Sequence, residues 1–331
     1  AIITLVPQKD SRVEIVQGQK QIIVGIGEVR SLTRRKLIVV FRKLITLAQA
    51  NKVKSFTLAY ADIVFPGLSI SERELGELLA INIEMANFDF VQYRATPPDG
   101  WPFVETITIT GKVSRDFQKG VERGQIIAAE VNQCRALANT PGSEMTPAVL
   151  ANEAKNISRR TKIKTTILDV SRMRSLKMGG VIGVGKGSEE EPKFIIMEYF
   201  AGPKKEQPIV LVGKGITFDT GGISLKPADY MTDMHMDMSG GAAVIHAITA
   251  VARLGIKKNI VALIPAAENM PSGLSYRPHD IIKSMSGKTI EVLNTDAEGR
   301  IILADALPYA KKYTPKLVVD VATLTGAAEV A

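Results

Sequence analysis

Cysteine occurs once in 331 residues, at Cys134, so an internal disulfide framework is excluded. A lone thiol fits a reducing compartment, and the cytoplasm is the expected location. Histidine is almost as scarce, with only His235, His246 and His279. Cys134 falls within a helical pattern, and none of the three imidazoles stands as an obvious partner for a serine or cysteine nucleophile. No uninterrupted apolar run approaches the ~20 residues that a membrane-crossing helix needs. The opening run AIITLVP (residues 1–7) is apolar but short. It carries neither a basic leader nor a cleavage site, and it reads as a first strand. A dense basic stripe is missing as well. The net charge is +8, yet no cluster is denser than Arg34-Arg35-Lys36 or Lys204-Lys205. Short runs of that kind are solvated surface, which disfavours a nucleic-acid partner. Internal repeats and low-complexity tracts are not evident.

What remains is an ordinary globular composition, 45% hydrophobic and 23% charged. The chain is too long for one compact core, which predicts two domains. Residues 1–114 alternate short β-rich runs with helical patterns. Gln21–Val24 and Ser55–Tyr60 read as strands, Leu32–Ala50 and Ser71–Met85 as helices, and Phe88–Tyr93 as a further strand. Pro97–Pro102 is a loop by composition. A long helix follows over residues 115–137, ended by the breakers Asn139-Thr140-Pro141-Gly142. Thr146 and Pro147 then open another helix as N-cap and first residue. Residues 138–331 repeat the α/β theme, with strands at Ile209–Val212, Ile260–Ile264, Thr289–Leu293 and Leu317–Val321. Helices are expected at Gly241–Leu254 and Ile301–Tyr313. The expected fold is therefore a small N-terminal α/β domain joined by a long helix to a mostly parallel, doubly wound α/β domain. Such a sheet places ligands beyond the carboxyl ends of its strands.

Two segments combine glycine-rich backbone with acids after apolar strands. One runs from Val212 to Ala228 and on to Asp237; the other is NTDAEGR, residues 294–300. Both begin where a strand is expected to end. Asp296, Glu298 and Arg300 stand at alternate positions, which on an extended stretch sends all three to one side. Arg300 alone can serve as the counter-ion of the two acids, at a helix N-terminus that favours negative charge. Asp219 and Asp237 enlarge the set. Four converging carboxylates carry a charge that cannot stay buried without partners, and two divalent cations about 3.5–4 Å apart are a recurrent hydrolytic answer. Oxygen ligands suit Mg²⁺, Mn²⁺ or Zn²⁺. Gly213-Lys214-Gly215 does not make a phosphate-binding loop, because Gly215 stands where that motif needs Ser or Thr. Gly180–Gly187 does not supply G-x-G-x-x-G either.

The runs GKGITFDTGGISLKP (213–227) and NTDAEGR, with the spacing between them, resemble the leucyl (cytosol) aminopeptidase family. GVGKGSEEEP (183–192), ENMPSG (268–273) and ATLTG (322–326) support the resemblance, which extends from about Leu137 onward. It implies a metal-dependent aminopeptidase that hydrolyses N-terminal Leu- or Met-like residues through a hydroxide activated by two metals. It makes Lys214, Asp219, Asp237, Asp296 and Glu298 the metal ligands, with Lys214 and Asp237 at the tighter site. Asp296 belongs to the more labile site, and Asp219 and Glu298 serve both. The ions are expected to be Zn²⁺ or Mn²⁺, with Mg²⁺ or Co²⁺ as further candidates. A lysine ligand must be neutral, and deprotonation at pH 7 costs about 4–5 kcal/mol, which a dication can offset. Lys226 and Arg300 match the catalytic cations, Lys226 for the oxyanion and Arg300 for a bicarbonate that shuttles protons. Met234, Asn294, Thr323 and Gly326 match positions of the substrate pocket. Peptide substrates and a homo-hexamer are implied too.

There are departures. Thr220 stands where Ser is usual, and His235 where a longer basic residue is common. Family members also continue well past the point where this chain stops, so the catalytic domain is expected to be incomplete at its C-terminus. The alternative readings are a DNA-binding accessory protein and an inactive fragment that keeps the metal site.

Overall fold

The computed structural model describes residues 1–16 and 18–330, and of Glu329 only the backbone. The chain divides into two compact units, Ala1–Asn132 and Gln133 onward.

The strands of the first unit are β1 (Ile2–Val6), β2 (Arg12–Val16), β3 (Gln19–Gly25), β4 (Ser55–Ala59) and β5 (Thr106–Thr110). They form one sheet in the order β2-β3-β1-β4-β5, antiparallel only between β2 and β3. Its helices are α1 (Arg34–Ala50), the short α2 (Tyr60–Ile63) and α3 (Glu72–Ala86), and α4 (Arg115–Asn139) follows. The division between the units falls inside α4. Leu37, Val40, Phe41, Leu44, Ile45 and Ala48 line one stripe of α1 and are all buried, as their helical spacing dictates. Thr33 caps that helix, and Ser71 and Glu74 form a reciprocal capping box on α3.

The expected strand at Phe88–Tyr93 is corrected, because that segment has no strand. Arg94 pairs with Asp89 at 2.6 Å and donates to the carbonyl of Phe90 at 2.7 Å, which turns the segment back on itself. The β-branched run TITIT of β5 takes the place beside β4.

In the second unit the elements are α5 (Pro147–Arg160), β6 (Lys164–Leu168), α6 (Val170–Ser175), α7 (Gly179–Gly185), β7 (Lys193–Phe200), β8 (Ile209–Gly213), β9 (Gly215–Asp219), α8 (Ala228–Met231) and α9 (Ser239–Arg253). There follow β10 (Asn259–Asn269), β11 (Ile281–Lys283), β12 (Thr289–Glu291), α10 (Glu298–Ala310) and β13 (Leu317–Val321). The main sheet runs β13-β8-β10-β7-β6, with β9 also on β10. Its β13, β8, β9 and β10 are mutually parallel neighbours, while β7 and β6 join antiparallel. All eleven residues of β10 are buried, as befits a central strand covered on both faces. Alternation sorts β7 and β10 between two cores. Phe194, Ile196, Val261 and Leu263 pack with Val181 of α7 and Ile302 of α10. Ile195, Met197, Ala262 and Ile264 pack with Leu150 of α5 and Ile245 of α9. The segment expected as a strand at Thr289–Leu293 belongs to a separate two-stranded antiparallel ribbon of β11 and β12.

Candidate metal centre

Lys214 stands at the break between β8 and β9. Ile209–Val212 pair with Ile260–Leu263, and the next strand pairs with Ala266–Asn269 on the same β10. The glycine-rich run after Val212 is thus partly ordered strand. The Lys214 backbone is held on both sides, its N–H donating to Val321 O at 3.0 Å and its carbonyl accepting from Gly241 at 2.7 Å. Its side chain is 3% exposed. Nζ lies 2.7 Å from both Asp237 Oδ2 and Glu298 Oε1 and donates to the carbonyl of Thr323 at 3.0 Å. Two glycines make the room. A Cβ on Gly299 would come within 2.8 Å of Lys214 Cε, and one on Gly240 within 2.1 Å of Val321 O.

Asp219 ends β9. Its Oδ1 accepts from Gly221 N–H at 2.9 Å and Asn269 Nδ2 at 2.8 Å, and its Oδ2 faces Lys226 Nζ at 3.0 Å. Lys226 also meets Asp296 Oδ1 at 2.5 Å. Asp237 follows a 3-10 turn, Met234–Met236, and its Oδ1 accepts from the Thr323 hydroxyl at 2.6 Å.

The extended geometry expected for NTDAEGR is corrected. Thr295–Ala297 form a 3-10 turn and α10 begins at Glu298, so Asp296 and Glu298 converge through a bend. The segment also follows the β11–β12 ribbon rather than a strand of the main sheet. Thr295 fastens it in place. Its hydroxyl donates to Gly221 O at 2.5 Å and accepts from Ser224 N–H at 2.8 Å. Asn294 caps the turn by accepting from Asp296 N–H at 2.8 Å. Arg300 is exposed in the first turn of α10. Among the described residues no ion pair joins it to Asp296 or Glu298; Lys214 and Lys226 hold that place.

One cavity of about 520 Å³ gathers Lys214, Asp219, Lys226, Met234, Asp237, Asn294, Asp296, Glu298, Arg300, Thr323 and Gly326, together with Ala297, Leu324 and Thr325. Burial pushes the Glu298 carboxyl up to about 7 and the Asp237 carboxyl up to about 6, against the pull of Lys214. Burial acts to lower Lys214, but the carboxylates of Glu298 and Asp237 outweigh it and hold the amine above the usual lysine range. Lys226 is raised likewise, Asp296 and Asp219 prevailing over desolvation.

These residues fit divalent cations. Asp219, Asp296 and Glu298 each offer an oxygen within 4.8 Å of the others. Glu298 Oε2 is buried and accepts no hydrogen bond among the described residues. An unsatisfied carboxylate oxygen is costly, and a hard cation satisfies it. Two lysines stand against four carboxyl groups, and bound cations would take the place of the protons that burial favours on Glu298 and Asp237.

Sequence reasoning passed over Asn269, Tyr276 and Thr295. Asn269 lies within the run ENMPSG, but a neutral amide after an apolar strand reads as the start of a turn.

An acid-lined centre beyond the carboxyl ends of parallel strands is where an α/β unit places its ligands. A family model described as "Cytosol aminopeptidase family, catalytic domain" matches residues 132–331. The chain belongs to the cytosol aminopeptidase family. A probable cytosol aminopeptidase of Ralstonia nicotianae is 52% identical over 225 residues, which cover 68% of this chain and 44% of that protein. One from Alkalilimnicola ehrlichii is 40% identical over 323 residues, 96% of this chain and 64% of that one. The chain thus spans less than two thirds of the length of these relatives. Among solved structures, the bottromycin maturation enzyme BotP in complex with Mn matches with a TM-score of 0.87 and 27% identity. The match covers 100% of this chain and 74% of BotP.

Proposed function

We propose that this chain carries the centre of a two-metal aminopeptidase that releases Leu- or Met-like N-terminal residues from peptides. The observation that supports it most is the gathering of four carboxylates and two lysines around one cavity in a member of this family. Lys214, Asp219, Asp237, Asp296 and Glu298 hold the two ions, Lys214 and Asp237 at the tighter site. Asp296 serves the more labile one, and Asp219 and Glu298 serve both. Lys214 binds as the neutral amine, so it gives up a proton on ligation. Cations held there would make a water acidic enough to act as nucleophile at neutral pH and would offer a seat for the substrate's free amine. Mn²⁺ is the first candidate, since BotP was solved with it; Zn²⁺ is the second.

The chain's own residues do the rest. Lys226 reaches the cavity as a fixed cation and stabilises the oxyanion that develops on the scissile carbonyl. Arg300, exposed at the rim, would hold a bicarbonate, which would supply a proton shuttle for the leaving amine. Met234, Asn294, Thr323 and Gly326 receive the N-terminal side chain. None of the four is charged, which suits an apolar residue. The Thr323 hydroxyl also orients Asp237. A cytoplasmic location and assembly as a hexamer belong to the same proposal.

The test is hydrolysis of leucine p-nitroanilide by the purified chain with added Mn²⁺ or Zn²⁺, beside Glu298→Ala. Metal-dependent release that falls at least 100-fold in the variant is expected. Release that persists without metal, or in the variant, refutes the proposal.

A further inference from the structure

We infer that Asn269 is a positioning residue for the metal centre, its amide tying the carboxylate of Asp219 to the turn that carries Asp296. The inference rests on the two-cation reading above.

Asn269 is the last residue of β10 and has no exposed surface. Its Nδ2 donates to Asp219 Oδ1 at 2.8 Å and to the carbonyl of Thr295 at 3.0 Å. Its own carbonyl accepts from the amide and the hydroxyl of Thr220, at 3.0 and 2.7 Å. One residue thus grips the end of β9 and the segment before α10, which no sheet pairing joins. Both partners of Nδ2 are acceptors, so the amide nitrogen cannot be exchanged with its oxygen. That oxygen faces Gly222, where a Cβ would come within 2.7 Å. Tyr276, itself buried, donates its hydroxyl to the same Thr295 carbonyl at 2.5 Å. Two donors therefore fix the carbonyl that precedes Asp296. With Oδ1 of Asp219 occupied by N–H groups, Oδ2 is the oxygen turned toward Lys226 and the cavity. Hydrogen bonds of this kind orient a ligating carboxylate, and their loss costs roughly 10–100-fold in metal affinity. An aspartate here would keep the shape but offer acceptors to two acceptors.

Titration calorimetry with Mn²⁺ on the full chain tests this, using wild type, Asn269→Ala, Asn269→Asp and Tyr276→Phe. Asp296→Ala marks which binding step belongs to the Asp296 site. Wild type is expected to take two ions. The Asn269 variants are expected to lose at least tenfold in affinity at the Asp296 step, where both of its contacts act, and clearly less at the Lys214–Asp237 step, which shares only Asp219. Tyr276→Phe, which keeps the ring and its packing, should show a smaller loss at the same step. Equal losses at both steps, or none, overturn the inference. If circular dichroism shows the Asn269 variants unfolded, Tyr276→Phe decides, and an unchanged titration overturns it. A wild type that binds no Mn²⁺ overturns the reading of the site and this inference with it.

Discussion

At the scale of single residues, burial drives the two carboxyls beside Lys214 the same way. Glu298 is raised to about 7 and Asp237 to about 6. Both lie above the values of an unfolded chain, so folding favours their protonated forms. That contribution to stability is fully present below about pH 4 and is lost as pH rises through 6 and 7. Metal-free protein is therefore expected to resist urea better at pH 5.5 than at pH 8, and Glu298→Gln should flatten the difference. Parallel curves for the two proteins would contradict this. The same protons compete with cations, so Mn²⁺ affinity should weaken from pH 8 to pH 6. Lys226→Met is expected to lower kcat by about 10²–10³ while leaving KM for leucine p-nitroanilide nearly unchanged; a change confined to KM would assign Lys226 to ground-state binding. The acids and lysines were legible because they stand in two glycine-rich runs that resemble a family's motifs, although part of the first run is the buried strand β9. Asn269 was not, since its importance lies in partners distant along the chain.

Among elements, the start of α9 packs tightly against the ends of the paired strands β8 and β13. Gly240→Ala would drive a methyl into Val321 O, so α9 or β13 must shift. The expected cost is about 1–3 kcal/mol by chemical denaturation, with weakened metal binding because Gly241 holds the Lys214 carbonyl. A variant with both properties intact would show that α9 moves freely there. The Thr33 cap of α1 came only with the structure, whereas the helix itself could be read from its apolar stripe and α5 from its Thr146 cap and Pro147. The bend at Asp296 could not, because alternate spacing carries no sign of Thr295 bonding to Gly221 and Ser224. Nor does alternation say that Phe88–Tyr93 turns back through Arg94, or that β7 runs against β10.

For the molecule as a whole, two units with separate cores predict local effects of metal. A ligand at 100 times its Kd adds about 2.7 kcal/mol to the structure that binds it. Hydrogen exchange with Mn²⁺ should therefore slow at amides of β9 and α10, while those of β1 and β4 keep their rates; uniform slowing would place the ion's effect elsewhere. The split into an α/β unit, a long helix and a second α/β unit was open to the sequence through its breakers and strand runs. The antiparallel edge of the second sheet, β7 and β6, was not. Lys214 and Glu298 meet at 2.7 Å, yet 84 residues of synthesis separate them. At ~5–20 residues per second the ribosome needs roughly 4–17 s to make that stretch. During that interval Asp237 can join Lys214 but Glu298 cannot. On the proposed assignment, ion capture involving Glu298 would have to wait until α10 has left the ribosome, however much metal the surroundings hold.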